Sequence, residues 1–238
     1  MNLITKQIPN AITCLNLFSG CIACVMAFQG DFFCAALFIY LAAFFDFLDG
    51  MAARLLKAYS DIGKELDSLA DLVSFGVAPG VILFSWLKTI QGEPATIAIS
   101  GVSVLPYAAF LITVFSALRL AKFNIDTRQT TSFIGLPTPA NAIFIASLIS
   151  LHDDAGLQFL LHNIWFIIVL ICLLSCLLVC KLPMFSLKFK SLRWKKNQTR
   201  YIFLGLSIIL LILFRLTAIP LIIILFILMS LVGLRRFL

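Results

Sequence analysis

Charge is what this sequence has least of. Asp, Glu, Lys and Arg together make up 12% of its 238 residues, about half the share in soluble domains, so most of its surface is not of the water-solvated kind. Only two residues are histidine. His152, beside Asp153 and Asp154, lies away from the main acidic cluster and lacks further ligands, so an ordinary loop is expected there, and His162 is read the same way. Alternation of apolar and polar residues is missing as well. Stretches such as 201–214 (YIFLGLSIILLILF) are apolar on every side, which excludes a transmembrane β-barrel. The opening MNLITKQIPNAIT offers no charged n-region followed by a small-residue cleavage site, so the first apolar run is expected to stay in the mature protein.

What is present is hydrophobic: 62% of residues, with a mean hydropathy of +1.08. Apolar runs long enough to cross a hydrocarbon core of about 30 Å as helices recur near 11–28, 33–55, 65–88, 97–121, 137–151, 159–180, 201–215 and 218–234. The expectation is an all-α, polytopic membrane protein of about eight transmembrane helices, forming a single integral membrane domain over 1–238. The last two runs, parted only by the stretch around Arg215 and Pro220, could instead form one kinked or re-entrant segment. With a cytoplasmic N-terminus, all of the 18 Lys and Arg residues except Lys88 and Arg215 fall on the inner side, as the positive-inside bias requires. That bias accounts for the net charge of +7, and nucleic acid is not expected as a partner. The basic segment 181–200, with Phe185, Phe189 and Trp194 interleaved, reads either as an interfacial stretch on anionic headgroups or as a solvated loop that sets topology. Cys14, Cys21, Cys24 and Cys34 in the first two runs, and Cys172, Cys176 and Cys180 in a later one, suit small buried hydrophobes better than disulfides or a redox pair.

The carboxylates are few and uneven. Of 11, six lie between Asp46 and Asp71. Asp46 and Asp49 are three apart at the end of the second run, and Asp67 and Asp71 are four apart at the start of the third, so each pair shares a helical face. The connecting turn brings the faces together. Four carboxylates crowded at a membrane boundary repel one another unless positive charge sits between them. Oxygen ligands without nearby His or Cys favour Mg²⁺ or Mn²⁺ over zinc, and four carboxylates suffice for two such ions. Two ions would clamp a diphosphate. Gly50, Ala53 and Gly63 leave room for a substrate against the backbone, and Arg54 offers a planar fork for phosphoryl oxygens. Taken alone, the small residues would equally serve close helix packing.

Written out, the spacing is Asp46-x2-Asp49-Gly50-x2-Ala53-Arg54-x8-Gly63-x3-Asp67-x3-Asp71. At every defined position this resembles the signature DxxDGxxARx8GxxxDxxxD of the CDP-alcohol phosphatidyltransferase family. The resemblance implies an integral membrane enzyme that displaces CMP from a CDP-lipid by an alcohol. It implies that Asp46, Asp49 and Asp67 are metal ligands, and that Asp71 completes the metal site and acts as general base. Gly50, Ala53 and Gly63 then shape the nucleotide pocket, Arg54 is the motif arginine, and the protein is a homodimer. SALRLAKFNID (Ser116 to Asp126), FIGLPTPANA (Phe133 to Ala142) and the opening Pro9-Asn10-x2-Thr13-x2-Asn16 through Gly20 resemble the family's serine-using branch, the membrane-integral phosphatidylserine synthases. Lys122 departs from that branch, which commonly carries a second arginine there.

The matching pieces run from 9 to 142 and mark the expected catalytic core. Residues 143–238 are expected to add C-terminal transmembrane helices. In this reading CDP-diacylglycerol and L-serine react at the cytoplasmic end of the second and third helices, in the cell membrane, to give phosphatidylserine and CMP. Serine's carboxylate and ammonium call for a cation, and Arg119 and Lys122, three apart with Asn124 just beyond, are the candidates. The competing reading makes them interfacial charges that snorkel. Asn10, Thr13 and Asn16 contact either the CDP-lipid or neighbouring helices. The alternatives are another acceptor, glycerol 3-phosphate or an inositol, and, outside this class, an aspartate-lined ion transporter.

Overall fold

The computed structural model describes residues 3–91, 98–99, 102–125, 133–184 and 194–234. Within them the chain is helical, apart from two antiparallel ladders of two residues a side, Ala98–Ile99 with Val102–Ser103 and Phe133–Ile134 with Pro183–Met184.

Helix α1 (Leu3–Phe28) folds back along α2 (Phe32–Leu55) through a tight turn in which Gly30 takes φ +81°. Asp31 closes the turn by accepting from the Cys34 N–H at 2.9 Å. That bond holds the Asp31 carboxyl below its usual range. The seam between the two helices is built of small residues. Ala23 and Ala27 of α1 and Ala35, Ala36 and Ala42 of α2 are buried, while Phe33, Phe44 and Phe47 point outward. Small residues inside and large apolar ones outside is the pattern of helices packed in lipid, where close backbone approach replaces the hydrophobic drive.

Helix α3 (Asp61–Leu72), capped by Ser60 accepting from the Gly63 N–H, runs without a break through a π turn (Val73–Val77) into α4 (Ala78–Ile90). The expected run 65–88 is therefore one continuous helix, Asp61–Ile90. The π turn sits where α1 presses in. A Cβ on Gly20 would lie 2.7 Å from the Ser74 Cα, and Ser74 Oγ donates to the Asn16 carbonyl at 3.0 Å. Thr113 donates to the Gly76 carbonyl at 2.9 Å, satisfying backbone in the widened turn.

The run expected at 97–121 begins later, with a 3₁₀ turn (Leu105–Phe110) leading into α5 (Leu111–Ile125). Pro106 falls in that first turn, where its missing N–H costs nothing. Helix α6 (Thr138–Ser150) follows a loop pinned by the Gly135 and Leu136 N–H groups to the carbonyls of Leu182 and Leu177, each at 2.9 Å. The run expected at 159–180 is split into α7 (Gln158–Leu161) and α8 (Ile164–Val179), because Asn163 caps α8 by accepting from Trp165 and Phe166. Helices α9 (Trp194–Phe214) and α10 (Ala218–Leu234) are joined by a 3₁₀ turn at Arg215, whose φ is +51°.

Among the described residues, five helices have spanning length and apolarity: Gln7–Phe28, Phe32–Leu55, Asp61–Ile90, Leu105–Ile125 and Asn197–Leu231. The eight runs read from the sequence do not each yield such a helix. Thr138–Ser150 and Ile164–Val179 are shorter than the roughly 20 residues a span needs, and the last two runs, within Asn197–Leu231, are two helices, α9 and α10, that turn back on each other at Arg215, with the Phe203 and Phe226 ring centroids 6.0 Å apart. The cysteines also differ from expectation: Cys14, Cys21, Cys172 and Cys176 are exposed, and all seven are free thiols. An apolar thiol facing lipid carries no penalty, so burial is not required of it. His152 lies in a turn, as expected, and its ring packs against Trp86 (centroids 4.9 Å apart) and Phe32 (5.5 Å). Residues 185–193 of the basic segment 181–200 lie outside the described residues, as do Asp126, Arg128, Arg235 and Arg236.

Candidate active site

The site is assembled where α1, α2 and α3 meet. Three-residue spacing on α2 turns Asp46 and Asp49 toward α1 and α3 rather than outward, and the turn before Ser60 brings Asp67 opposite them. Asp46, Asp49 and Asp67 each offer an oxygen, and these oxygens all lie within 4.8 Å of one another. Asp71, one helical turn beyond Asp67, stands outside that triple but interacts electrostatically with all three.

Helix α1 supplies the polar contacts. Thr13 Oγ1 donates to Asp49 Oδ2 at 2.6 Å, with the Pro9 carbonyl 3.0 Å from the same hydroxyl. Asn16 Nδ2 donates to Asp71 Oδ1 at 3.3 Å. Asp67 Oδ1 is buried with no hydrogen-bond partner. Among the described residues, the ion pair present joins His152 to Asp153 (3.5 Å), away from these four. Two full negative charges 4.8 Å apart repel by roughly 3 kcal/mol at an effective dielectric of about 20. Three carboxylates with an orphaned buried oxygen and no Lys or Arg in ion-pair contact therefore fit a divalent cation.

Beside the carboxylates opens a cavity of about 410 Å³, lined in part by Asn10, Thr13, Asp49, Gly50, Ala53, Arg54, Gly63 and Asp67. A cavity of this size suits a small-molecule group such as a nucleotide. Gly50 keeps it open, since its nearest neighbour would be Arg54 Nη2, 3.7 Å from an added Cβ. At Gly63 a Cβ would come within 2.8 Å of Asn10 Oδ1 and 2.9 Å of Ser60 Oγ, so any larger residue there would displace Asn10. Arg54 Nε donates to the Gly50 carbonyl at 2.8 Å. Asn16 does not line the cavity and turns to Asp71 instead. Tyr59, Ser60 and Lys64 also line the cavity but were not singled out by the sequence. Ser60 is legible as the helix cap it proves to be, and Lys64 and Tyr59 carry no spacing signal.

The three residues grouped for an amino-acid acceptor separate. Arg119 is buried, with Nη1 donating to Thr138 Oγ1 at 3.3 Å and Asp71 within electrostatic reach. Lys122 is exposed and shares no inward surface with Arg119. Asn124 Nδ2 donates to Ser68 Oγ at 2.9 Å, tying α5 to α3 between Asp67 and Asp71.

Comparison with known proteins agrees with this geometry. The sequence profile described as CDP-alcohol phosphatidyltransferase matches residues 6–175. A CDP-diacylglycerol–serine O-phosphatidyltransferase of Bacillus subtilis (strain 168) is 40% identical over 134 residues, covering 56% of this chain and 70% of that protein. One from Mycobacterium leprae (strain TN) is 33% identical over 184 residues, covering 74% of this chain and 57% of the relative. An archaetidylserine synthase of Methanothermobacter thermautotrophicus is 33% identical over 142 residues, 59% of this chain and 56% of the relative. Against the last two the match spans less than two thirds of the relative's length. With the eight motif positions gathered around one carboxylate cluster and the family profile running through most of its length, the chain belongs to the CDP-alcohol phosphatidyltransferase family.

Proposed function

We propose that the protein transfers the phosphatidyl group of CDP-diacylglycerol to L-serine, giving phosphatidylserine and CMP. The observation that carries this reading is the carboxylate triple of Asp46, Asp49 and Asp67, without an ion-pair partner among the described residues and beside a nucleotide-sized cavity. The serine acceptor is supported by relatives bearing that activity in their names.

Asp46, Asp49, Asp67 and Asp71 would hold two divalent ions, Mg²⁺ or Mn²⁺. When bound, such ions supply positive charge against the diphosphate and the departing CMP. The rest of the work falls to the chain's own side chains. Asn10, Thr13, Gly50, Ala53, Arg54 and Gly63 receive the cytidine and diphosphate, and Thr13 also fixes the rotamer of Asp49. Asn16 orients Asp71 through one oxygen and leaves the other to accept a proton. Serine's hydroxyl oxygen attacks the phosphorus that bears the lipid, its proton passes to Asp71, and the bond from that phosphorus to the CMP oxygen breaks. Positioning and proton transfer account for the acceleration contributed by these groups. Arg119 is the cation left for the acceptor's carboxylate. Lys122, exposed beside Arg119, and Asn124, whose amide NH₂ is bonded to Ser68, are the outer candidates for the same acceptor.

The positive-inside distribution supports a site that opens to the cytoplasmic face of the cell membrane. The reading counts eight passes, including the two short helices and both halves of Asn197–Leu231. It treats the chain as one membrane domain with its catalytic core at 9–142, and takes the homodimer from the family resemblance. The test is to incubate the purified protein with CDP-diacylglycerol, Mn²⁺ or Mg²⁺, and serine, glycerol 3-phosphate or inositol in turn, following CMP and lipid product. Metal-dependent CMP release with serine is expected. Release with another acceptor alone, or metal-dependent ion flux without CMP, would replace this reading by one of its alternatives.

A further inference from the structure

Behind Asp71 lies a second group of polar side chains that the motif does not contain and that does not line the 410 Å³ cavity. Arg119 of α5 reaches Thr138, the first residue of α6, at 3.3 Å. Asn141 is three residues further along α6, on the same face as Thr138. Ser116, one turn before Arg119, packs against the π turn that follows Asp71, its Cβ 3.1 Å from an added Cβ on Gly76. Asn141 and Ser116 are completely buried and Arg119 is 8% exposed. Yet Arg119 Nε, Asn141 Nδ2, Asn141 Oδ1 and Ser116 Oγ all lack a hydrogen-bond partner among the described residues. Folded proteins rarely leave several buried polar atoms unpaired in one place, and each such group calls for an explanation.

We propose that Asn141, with Arg119 and the start of α6, forms the pocket that reads the two charged groups of an α-amino-acid acceptor. The proposal rests on the phosphatidyl-transfer reading above and adds the residue that selects among acceptors. The unpaired atoms match a zwitterion. Arg119 Nε and Asn141 Nδ2 donate, as a carboxylate requires, and the positive end of α6 favours the same group. Asn141 Oδ1 accepts, as an ammonium requires. A phosphate monoester acceptor brings no cation to that oxygen. Asp71, the proton acceptor, is held within electrostatic reach of Arg119, which sets the acceptor's hydroxyl beside its base while its charged groups rest on α5 and α6.

The test uses the full chain, reconstituted with CDP-diacylglycerol and Mn²⁺. Asn141→Leu keeps nearly the same volume and removes both unpaired atoms. The serine KM should rise about ten-fold or more, the effect of losing one bond to a charged group, with the CDP-diacylglycerol KM little changed. The melting temperature without serine should hold or rise, and its increase on adding serine should be lost. Wild type should prefer serine to 3-hydroxypropionate, which lacks the ammonium, and Asn141→Leu should narrow that preference. If Asn141→Leu fails to accumulate in the membrane, Asn141→Ala is read the same way. A wild-type serine KM in the variant, or equal losses for both substrates together with a lower melting temperature, would overturn the proposal. A wild-type protein that releases no CMP with serine would instead overturn the underlying function.

Discussion

The 2.6 Å bond from Thr13 to Asp49 makes α1 part of the carboxylate site without contributing a charge. Thr13→Val, which keeps the shape and removes the proton, should raise the Mn²⁺ concentration for half-maximal CMP release by roughly 10-fold, as losses of hydrogen bonds to ligating carboxylates do. An unchanged Mn²⁺ titration would reduce Thr13 to a packing residue. Asp71→Asn should act differently, lowering kcat by about 10²- to 10⁴-fold, the range for a general base, while a CDP-diacylglycerol binding assay stays near wild type. Turnover within a few-fold of wild type would remove the base assignment. The aspartates were legible from the sequence because two pairs, three and four apart, stand on either side of one short turn that folds them together. Arg119 and Lys122 were not, although they are also three apart. Three residues turn a helix by about 300°, and at the edge of a buried stripe the remaining 60° separates an interior guanidinium from an exposed ammonium. Only the placement of α6, which brings Thr138 to Arg119, decides which of the two turns inward.

Where α1 crosses the π turn, two backbones meet with no room for a side chain. Gly20→Ala would drive a Cβ to 2.7 Å from the Ser74 Cα, and overpacking of this kind costs about 1–3 kcal/mol. A lower melting temperature is expected, with lower activity, since Asp71 lies just before the turn that must yield. Gly205→Ala in α9 is the matched control. Nothing lies within 4 Å of its added Cβ, so stability should hold or rise slightly, as replacing a helical glycine generally does. Equal melting temperatures for the two variants would show that the α1 crossing is soft. The helix Asp61–Ile90 could be read from its apolar run, but the π turn inside it could not. One extra residue in a turn leaves hydropathy unchanged, and its cause, Gly20 against Ser74, is 54 residues away in the chain. The break at Asn163 between α7 and α8 is a local signal of the ordinary kind, an Asn ahead of an apolar stretch, and was hidden by the hydropathy on either side.

Across the whole protein, the distribution of Lys and Arg gives a direct test of orientation. In a cysteine-free variant, a single cysteine replacing Lys57 should resist an impermeant thiol reagent in intact cells, and one replacing Asp153 should react. The opposite labelling would invert the topology and separate the site from cytoplasmic serine. The number of spans was less legible than their presence, because hydropathy counts apolar stretches and does not tell a helix of 13 or 16 residues from one that reaches both interfaces. The depth of the carboxylates has a kinetic consequence. Asp46 stands about 13.5 Å before the last residue of α2, and the outer face of α2 around and beyond it carries exposed Phe44, Phe47 and Met51. The donor lipid then need not leave the bilayer to react, and encounters with it occur in two dimensions. Rate should follow the mole fraction of CDP-diacylglycerol in the surface rather than its amount per volume of buffer. Adding inert detergent at fixed total donor should slow turnover in proportion to the surface dilution, whereas diluting the same mixed micelles with buffer should leave turnover per protein unchanged.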